Sequence, residues 1–265
     1  MTQPDKTVNK IPVSVVIICK NEVGQIYKCI QSVITFTDDI VVYDSGSTDG
    51  TQQLVTDSGA RLIEGEWLGF GLTKKKATEM ARYDWILNLD ADEIPDAKLK
   101  QNLQQISFND PKIVYRIRFK NFLGNQHLRF GEWGNDKHVR IFNRTQVNWN
   151  DASVHESLLL SPQISIETLP GFVLHYTVKN VADYAAKTIR YGLLNAEKYH
   201  LTGKRSSVIK IYLAPVFAFI KYYFFFLGFL DGINGLICAR MTAYYTFIKY
   251  IRLKELHQES QGTEQ

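Results

Sequence analysis

A chain of 265 residues that is 45% hydrophobic and 12% aromatic can bury a full core, which excludes a disordered or fibrous protein. Charged residues make up 22% and the formal net charge is only +4, so no nucleic-acid partner is expected. The three cysteines, Cys19, Cys29 and Cys238, are odd in number and show neither CxxC nor Cys/His spacing, which excludes a disulfide framework and a structural zinc site.

The first residues, MTQPDKTVNK, lack the apolar segment of a signal peptide, so a reducing, cytosolic compartment is expected. Val13 to Cys19 is a β-branched run without alternation, the pattern of a strand buried on both faces. A helix is predicted from Val23 to Ile34, a strand from Ile40 to Tyr43, and a polar turn from Asp44 to Gly50. Within that turn Asp49 is placed to cap a helix over Thr51 to Ser58. A strand at Ala60 to Glu64, a helix at Gly71 to Arg82 and a strand at Trp85 to Leu89 follow. This rhythm of strands and helices predicts βαβ units on a parallel sheet, an α/β fold.

From Ile113 the pattern changes. Val114 to Phe119 alternates as an antiparallel strand does, Val139 to Asn143 is another strand, and Phe172 to His175 a short one before helical sequence from Val181.

Ligands of open α/β sheets bind at the carboxyl ends of the strands. Three polar clusters fall there: Lys20-Asn21-Glu22, Asp44 to Asp49, and Asp90-Ala91-Asp92-Glu93. Paired carboxylates at a strand end repel one another unless a cation neutralises them, and an all-oxygen set suits Mg²⁺ or Mn²⁺ bridging to phosphates. No Walker A motif is present, and Gly69-Phe-Gly71 is too short for a dinucleotide fingerprint. Of Lys74, Lys75 and Lys76 only one can point inward, because helical neighbours diverge by about 100°.

In order, VSVVIICKNE, VVYDSGSTDGT, WLGFGLTKKKA and WILNLDADE resemble the family 2 glycosyltransferases of the GT-A fold. With His138 to Phe142, Val154-His155-Glu156 and Gly228 to Gly235, the chain is similar to the bacterial lipopolysaccharide inner-core β-1,4-glucosyltransferases. The resemblance implies a GT-A catalytic domain over 12–178, with a nucleotide-sugar half at about 12–110 and an acceptor half at about 111–178. A C-terminal helical, membrane-associating region at 179–257 and flexible tails at 1–11 and 258–265 complete the expected organisation.

The resemblance further implies an inverting hexosyltransferase that uses a UDP-sugar donor, UDP-glucose, and a lipid-linked core oligosaccharide acceptor ending in heptose. By the same resemblance Asp44, Asn21 and Glu22 contact the nucleoside, Asp90 the ribose or a shared water and Lys74 the diphosphate, and Asp92 ligates Mg²⁺ or Mn²⁺. His155 is a second candidate metal ligand, or a hydrogen-bonded structural histidine. Arg140 supports phosphate or acceptor charge, or pairs with an acid. The general base is Asp136 or Glu156, with preference for Asp136, although Gly134-Asn-Asp136 departs from the Tyr-Pro-Asp loop of many relatives. Two rivals are a polyprenyl-phosphate glycosyltransferase and a non-catalytic nucleotide-sugar-binding membrane scaffold.

From Lys204 to Lys254 eight Lys/Arg stand against one acid, Asp231, a local charge of +7 that leaves −3 for the rest of the +4 chain. Thirteen of 33 aromatic residues fall between Tyr212 and Tyr250. An apolar stripe at Tyr212, Leu213, Val216, Phe217 and Ile220, with Lys210 and Lys221 on the opposing face, predicts a helix at an anionic membrane surface. Lys221 and Asp231 are expected to leave no run of about 18 residues fit to span a bilayer. Packing on the catalytic domain or a dimer interface is the alternative use of this surface. Pro215 is expected to kink or begin a helix. The expected location is peripheral, on the cytoplasmic face of the bacterial inner membrane.

Overall fold

The computed structural model describes residues 10–151 and 156–262. In chain order the elements are β1 (Val13–Cys19), α1 (Ile26–Val33), β2 (Asp39–Asp44), α2 (Thr51–Asp57), β3 (Arg61–Glu64), α3 (Phe70–Glu79) and β4 (Trp85–Asp90). Then come β5 (Glu93–Pro95), α4 (Ala97–Leu103), β6 (Ile113–Leu123), β7 (Gln126–Leu128), β8 (Lys137–Asn143) and β9 (Ser165–Val178). Three helices end the chain: α5 (Val181–Leu201), α6 (Val208–Ile220) and α7 (Gly232–Gly262). The packing separates two units, Met1–Phe119 with Lys137–His175, and Lys120–Asp136 with Tyr176–Gln265. The sequence reading instead divides the chain at 178/179, and α7 runs past the expected end at 257.

In the first unit β1, β2, β3 and β4 are parallel, with β1 between β2 and β4. The sheet continues as a mixed one through β8, β6, β9 and β5, with β8 antiparallel to β4. β1 reads as an unbroken apolar run because both its faces are covered. Val13, Val15 and Ile17 pack with Ile26, Ile30 and Val33 of α1, while Val16 and Ile18 pack with Ala77, Phe142 and Trp149 on the other side. Its polar member, Ser14, is fully buried and bonded: its hydroxyl donates to Asp39 (2.5 Å) and accepts from the Tyr83 amide (2.9 Å). A buried hydroxyl left without such partners would be destabilising.

The register brings the chemistry-bearing ends together. Cys19 pairs with Asp44, and Ile18 with Asp90, so two acidic strand ends flank the end of β1 on one edge of the sheet. β5 and α4 are absent from the sequence reading; β5, at three residues, is too short to show a period. Asp96 nevertheless caps α4 by accepting from the Leu99 amide (2.8 Å). β9 is also much longer than the predicted Phe172–His175 segment.

In the second unit α5 and α6 each pack against α7. Pro215 lies inside α6, which continues as a π-helical turn, Lys221–Phe225. Leu227 then takes a left-handed conformation (φ 58°) and a 3₁₀ turn, Gly228–Asp231, reverses the chain into α7. The reversal is tight enough that a Cβ on Gly235 would lie 1.8 Å from the Gly228 carbonyl oxygen. The expectation that no segment is fit to span a membrane is corrected here. Val208–Phe225 forms 18 continuous helical residues, long and apolar enough to cross by length and composition, with Lys210 and Lys221 too few to break the run.

Candidate active site

The loop after β2 is organised by Asp44. Its fully buried carboxylate accepts from the amides of Gly46 (3.1 Å) and Ser47 (2.8 Å), from Gln52 Nε2 (2.7 Å) and from the Ser47 hydroxyl. Burial pushes the Asp44 pKa up, but the hydrogen bonds from Ser47, Gln52 and Cys19 outweigh it and leave it below the ordinary carboxylate value. The neighbouring loop after β1 is stitched to this one. The Asn21 amide donates to Ser47 Oγ (2.8 Å), Asn21 Oδ1 accepts from the Thr48 amide (2.8 Å), and the Glu22 amide donates to Thr51 Oγ1 (2.8 Å). Asn21 holds a positive φ of 57°, a conformation asparagine tolerates better than most residues. Asp49 accepts from the Thr51 amide (3.0 Å) and the Val23 amide (3.2 Å), while the cap position of α2 belongs to Gly50. Asp49 therefore ties the two loops rather than simply capping the helix.

One strand away, at the end of β4, the charges interlock. Lys74 is the inward-facing lysine of α3, only 2% exposed, whereas Lys75 and Lys76 are not buried. Its Nζ lies 2.6 Å from Glu156 Oε1 and 3.2 Å from Asp90 Oδ1, and 5.0 Å from the centre of the Trp149 ring. The other Asp90 oxygen accepts from Arg140 (3.1 Å). Arg140 also reaches Glu93 (2.5 Å) and Asn88 Oδ1 (3.2 Å) and stacks over Phe119. Its Nε is buried without a hydrogen-bond partner among the described residues.

Burial alone would raise the Asp90 pKa, but Lys74, Arg140 and His175 outweigh it and hold the carboxylate far below its ordinary value. Glu93 is pushed the other way, to about 7, by its complete burial, with Arg140 opposing and Asp90 adding to the rise. Arg140, despite burial, is held still more firmly protonated by Glu93 and Asp90.

Asp92 stands apart from this lattice, with His175 Nε2 3.6 Å from its Oδ1. Burial disfavours the imidazolium, yet Asp92, Glu93 and Asp90 together push the His175 pKa up to about 9. Among the described residues no group of three His, Cys, Asp or Glu side chains is gathered for a metal. The donor chemistry nonetheless fits an ion that takes few protein ligands and several phosphate or water oxygens, as Mg²⁺ does. Asp90 already has a cation on each oxygen, so Asp92 is the better carboxylate for it.

The structure thus brings together Lys74, Asp90, Arg140 and Glu156, with Asn21, Glu22 and Asp44 on the same sheet edge. Asp136 belongs to the second unit, where Asn121 Nδ2 donates to its Oδ2 (3.1 Å) and to the Trp133 carbonyl (3.1 Å). His155 lies outside the described residues. The sequence reading assigned no role to Glu93, Asn88, Trp149 or His175. For Glu93 the signal was its place in the acidic cluster; the other three carry none, being single polar or aromatic residues within apolar strands and loops.

A parallel half-sheet with acidic clusters at its carboxyl edge, continued by a mixed sheet, is the architecture of a glycosyltransferase of the GT-A class. The model of the family "Glycosyl transferase family 2" matches residues 14–161, more than half of the chain, and the chain belongs to that family. Among its relatives is the lipopolysaccharide core biosynthesis glycosyltransferase LpsC of Rhizobium meliloti, 29% identical over 255 residues, covering 94% of each chain. A glycosyltransferase of uncharacterised role from Rickettsia typhi is 29% identical over 261 residues, 94% of this chain and 89% of its own. A solved glucosyl-3-phosphoglycerate synthase from Mycobacterium tuberculosis, in complex with Mn²⁺, UDP and glucosyl-3-phosphoglycerate, is 27% identical with a TM-score of 0.34. That match covers 42% of this chain, which spans under half of the solved one (43%).

Proposed function

We propose that this family 2 enzyme transfers a hexose, glucose from UDP-glucose, with inversion onto a heptose of a lipid-linked lipopolysaccharide core. The reaction would take place at the cytoplasmic face of the inner membrane, with the enzyme held peripherally on anionic lipid. The observation that carries the reading is the Lys74 ammonium, buried at the carboxyl end of a parallel sheet between Asp90 and Glu156. Such a cation suits a diphosphate that enters beside the nucleoside loop of Asn21, Glu22 and Asp44. The relative LpsC, a lipopolysaccharide core biosynthesis glycosyltransferase, supports the acceptor class.

In this scheme Asp44 and the loop it organises orient the nucleoside, Asp90 takes the ribose, and Lys74 and Arg140 balance charge near the diphosphate. Asp92, with His155, would hold Mg²⁺ or Mn²⁺, which supplies Lewis-acid stabilisation of the leaving diphosphate. A carboxylate takes the proton of the acceptor hydroxyl as its oxygen bonds to the anomeric carbon, and the bond to the diphosphate breaks on the opposite face. Asp136 is proposed as that base and Glu156 as the alternative, its carboxylate being engaged by Lys74.

The test is a nucleotide-sugar panel with purified enzyme, with and without metal. Release of UDP from UDP-glucose, faster when a heptose-containing core acceptor is added, supports the proposal; no binding or turnover with any UDP-sugar overturns it. The apolar helix Val208–Phe225 favours polyprenyl phosphate as a second acceptor class, and including that acceptor in the same panel decides between them.

A further inference from the structure

The outward face of α6 is built for lipid. Ile209, Leu213, Val216, Phe217, Ile220 and Phe224 recur at three- and four-residue steps, and so share one side of the helix and its π-turn extension. Phe217 is 65% exposed, and Phe225, at the turn beyond, 74%. Across the whole 18-residue run only 6% is buried within the protein. Lys210 and Lys221, eleven positions apart, fall together along one edge of this face and not opposite it as the sequence reading expects, and Lys204 and Arg205 lie exposed just before it.

We infer that α6 and the turn Phe224–Leu230 lie in the plane of the membrane, embedded in one leaflet of an anionic bilayer without crossing it. This inference rests on the peripheral membrane contact proposed above and specifies how that contact is made. Three observations choose this arrangement. First, the chain reverses at Leu227 and α7 packs back along α6, with the Arg240 guanidinium 5.0 Å from the centre of the Phe219 ring. A hairpin driven in tip-first would carry Arg240 and Lys221 into hydrocarbon, where isolated charges are costly. Second, an in-plane helix leaves Lys210 and Lys221 at the headgroup level, where long cationic side chains reach anionic phosphates. Third, the local charge of +7 from Lys204 to Lys254 repels a second copy of the same surface and attracts anionic lipid.

The experiment uses the full chain with a nitroxide attached through a single introduced cysteine at Ile209, Val216 or Phe224; the native Cys19, Cys29 and Cys238 are buried. Vesicles are pure phosphatidylcholine or phosphatidylcholine with phosphatidylglycerol. The expected result is association at least about tenfold tighter with the anionic vesicles, weakened by salt. The three labels should report similar, shallow depths. The double substitution Phe217→Glu, Phe225→Glu should lower vesicle association by at least about tenfold, since a charge is driven off the apolar side of an interfacial helix.

Labels at Ile209 and Phe224 residing at opposite faces of the bilayer would overturn the inference, as would absence of vesicle binding by the unsubstituted chain. So would labels that are shielded without lipid in a concentration-dependent dimer. UDP-sugar hydrolysis in solution, measured on the same preparations, separates the two readings: its loss alone counts against the transferase, and loss of vesicle binding alone counts against the leaflet contact.

Discussion

Lys74 and Glu156, 82 positions apart in the chain, meet as an ion pair of 2.6 Å beneath the end of β4. Lys74→Met leaves Asp90 and Glu156 facing one another without their shared cation. We expect UDP-sugar affinity, read by titration calorimetry, to fall by about tenfold or more, which is 1.4 kcal/mol at the diphosphate. The fold should lose up to about 3 kcal/mol in chemical denaturation, the low end for breaking a buried pair, because Arg140 still holds Asp90. Affinity unchanged in Lys74→Met would remove Lys74 from the donor site.

Asp92 meets the buried charges only through His175, so its replacement disturbs the fold less than that of Asp90 would and helps to separate metal chemistry from folding. Asp92→Ala is expected to keep the wild-type melting temperature within about 4 °C, a shift worth no more than about 1 kcal/mol. Metal-stimulated UDP release should fall by at least about 10²-fold, and chelation of the wild-type enzyme should produce the same loss. Metal-dependent release that survives in Asp92→Ala sinks the assignment.

The two candidate bases are distinguished by comparing Asp136→Asn with Glu156→Gln. Loss of a general base lowers the transfer rate by about 10²–10⁴-fold while donor binding persists. The proposal expects that signature, high donor affinity with slow transfer, in Asp136→Asn. Glu156→Gln is expected to alter donor affinity as well, through Lys74.

Acid stability should carry the mark of Asp39. Its carboxylate is buried and receives the Ser14 hydroxyl (2.5 Å), the Arg82 amide (2.7 Å) and Arg61 Nε (2.9 Å). Burial raises its pKa, but these bonds outweigh it and leave it below the ordinary value. A folded-state pKa below the unfolded one, about 3.9, means the stabilisation is present above pH 4 and is lost as pH falls further. Urea denaturation from pH 3 to 7 should show Asp39→Asn less stable than wild type at neutral pH, with the gap closing in acid. A gap that widens toward pH 3 contradicts the assignment.

Within the second unit Asp231 accepts from the amides of Arg129 and Phe130 (2.9 Å each), and the Gly131 amide donates to the Phe226 carbonyl (2.9 Å). The segment leading to Asp136 is thereby fastened to the turn between α6 and α7. Asp231→Ala leaves two amides without their acceptor, at a cost of about 1–3 kcal/mol. Hydrogen exchange at Arg129 and Phe130 should accelerate by at least about tenfold, since 1.4 kcal/mol is a factor of ten. Unchanged exchange would show that the loop holds its shape without Asp231.

The sequence by itself determined the parallel half-sheet, because β1, β2 and β4 are buried on both faces and must read as apolar runs ending in polar turns. It also determined that one of three consecutive lysines would turn inward, a consequence of helical geometry that needs no knowledge of the partner. Only the tertiary structure decided which charges meet. Arg140 lies between Asp90 and Glu93, fifty and forty-seven positions away, because β8 runs antiparallel beside β4. His175 faces Asp92 because β9 pairs with β5, a strand too short to announce itself. For α6 the sequence leaves more open: its composition admits a core helix, a membrane span or an interfacial helix alike. The chain reversal at Leu227, which sets Arg240 against Phe219, is the tertiary feature on which the leaflet contact inferred above rests.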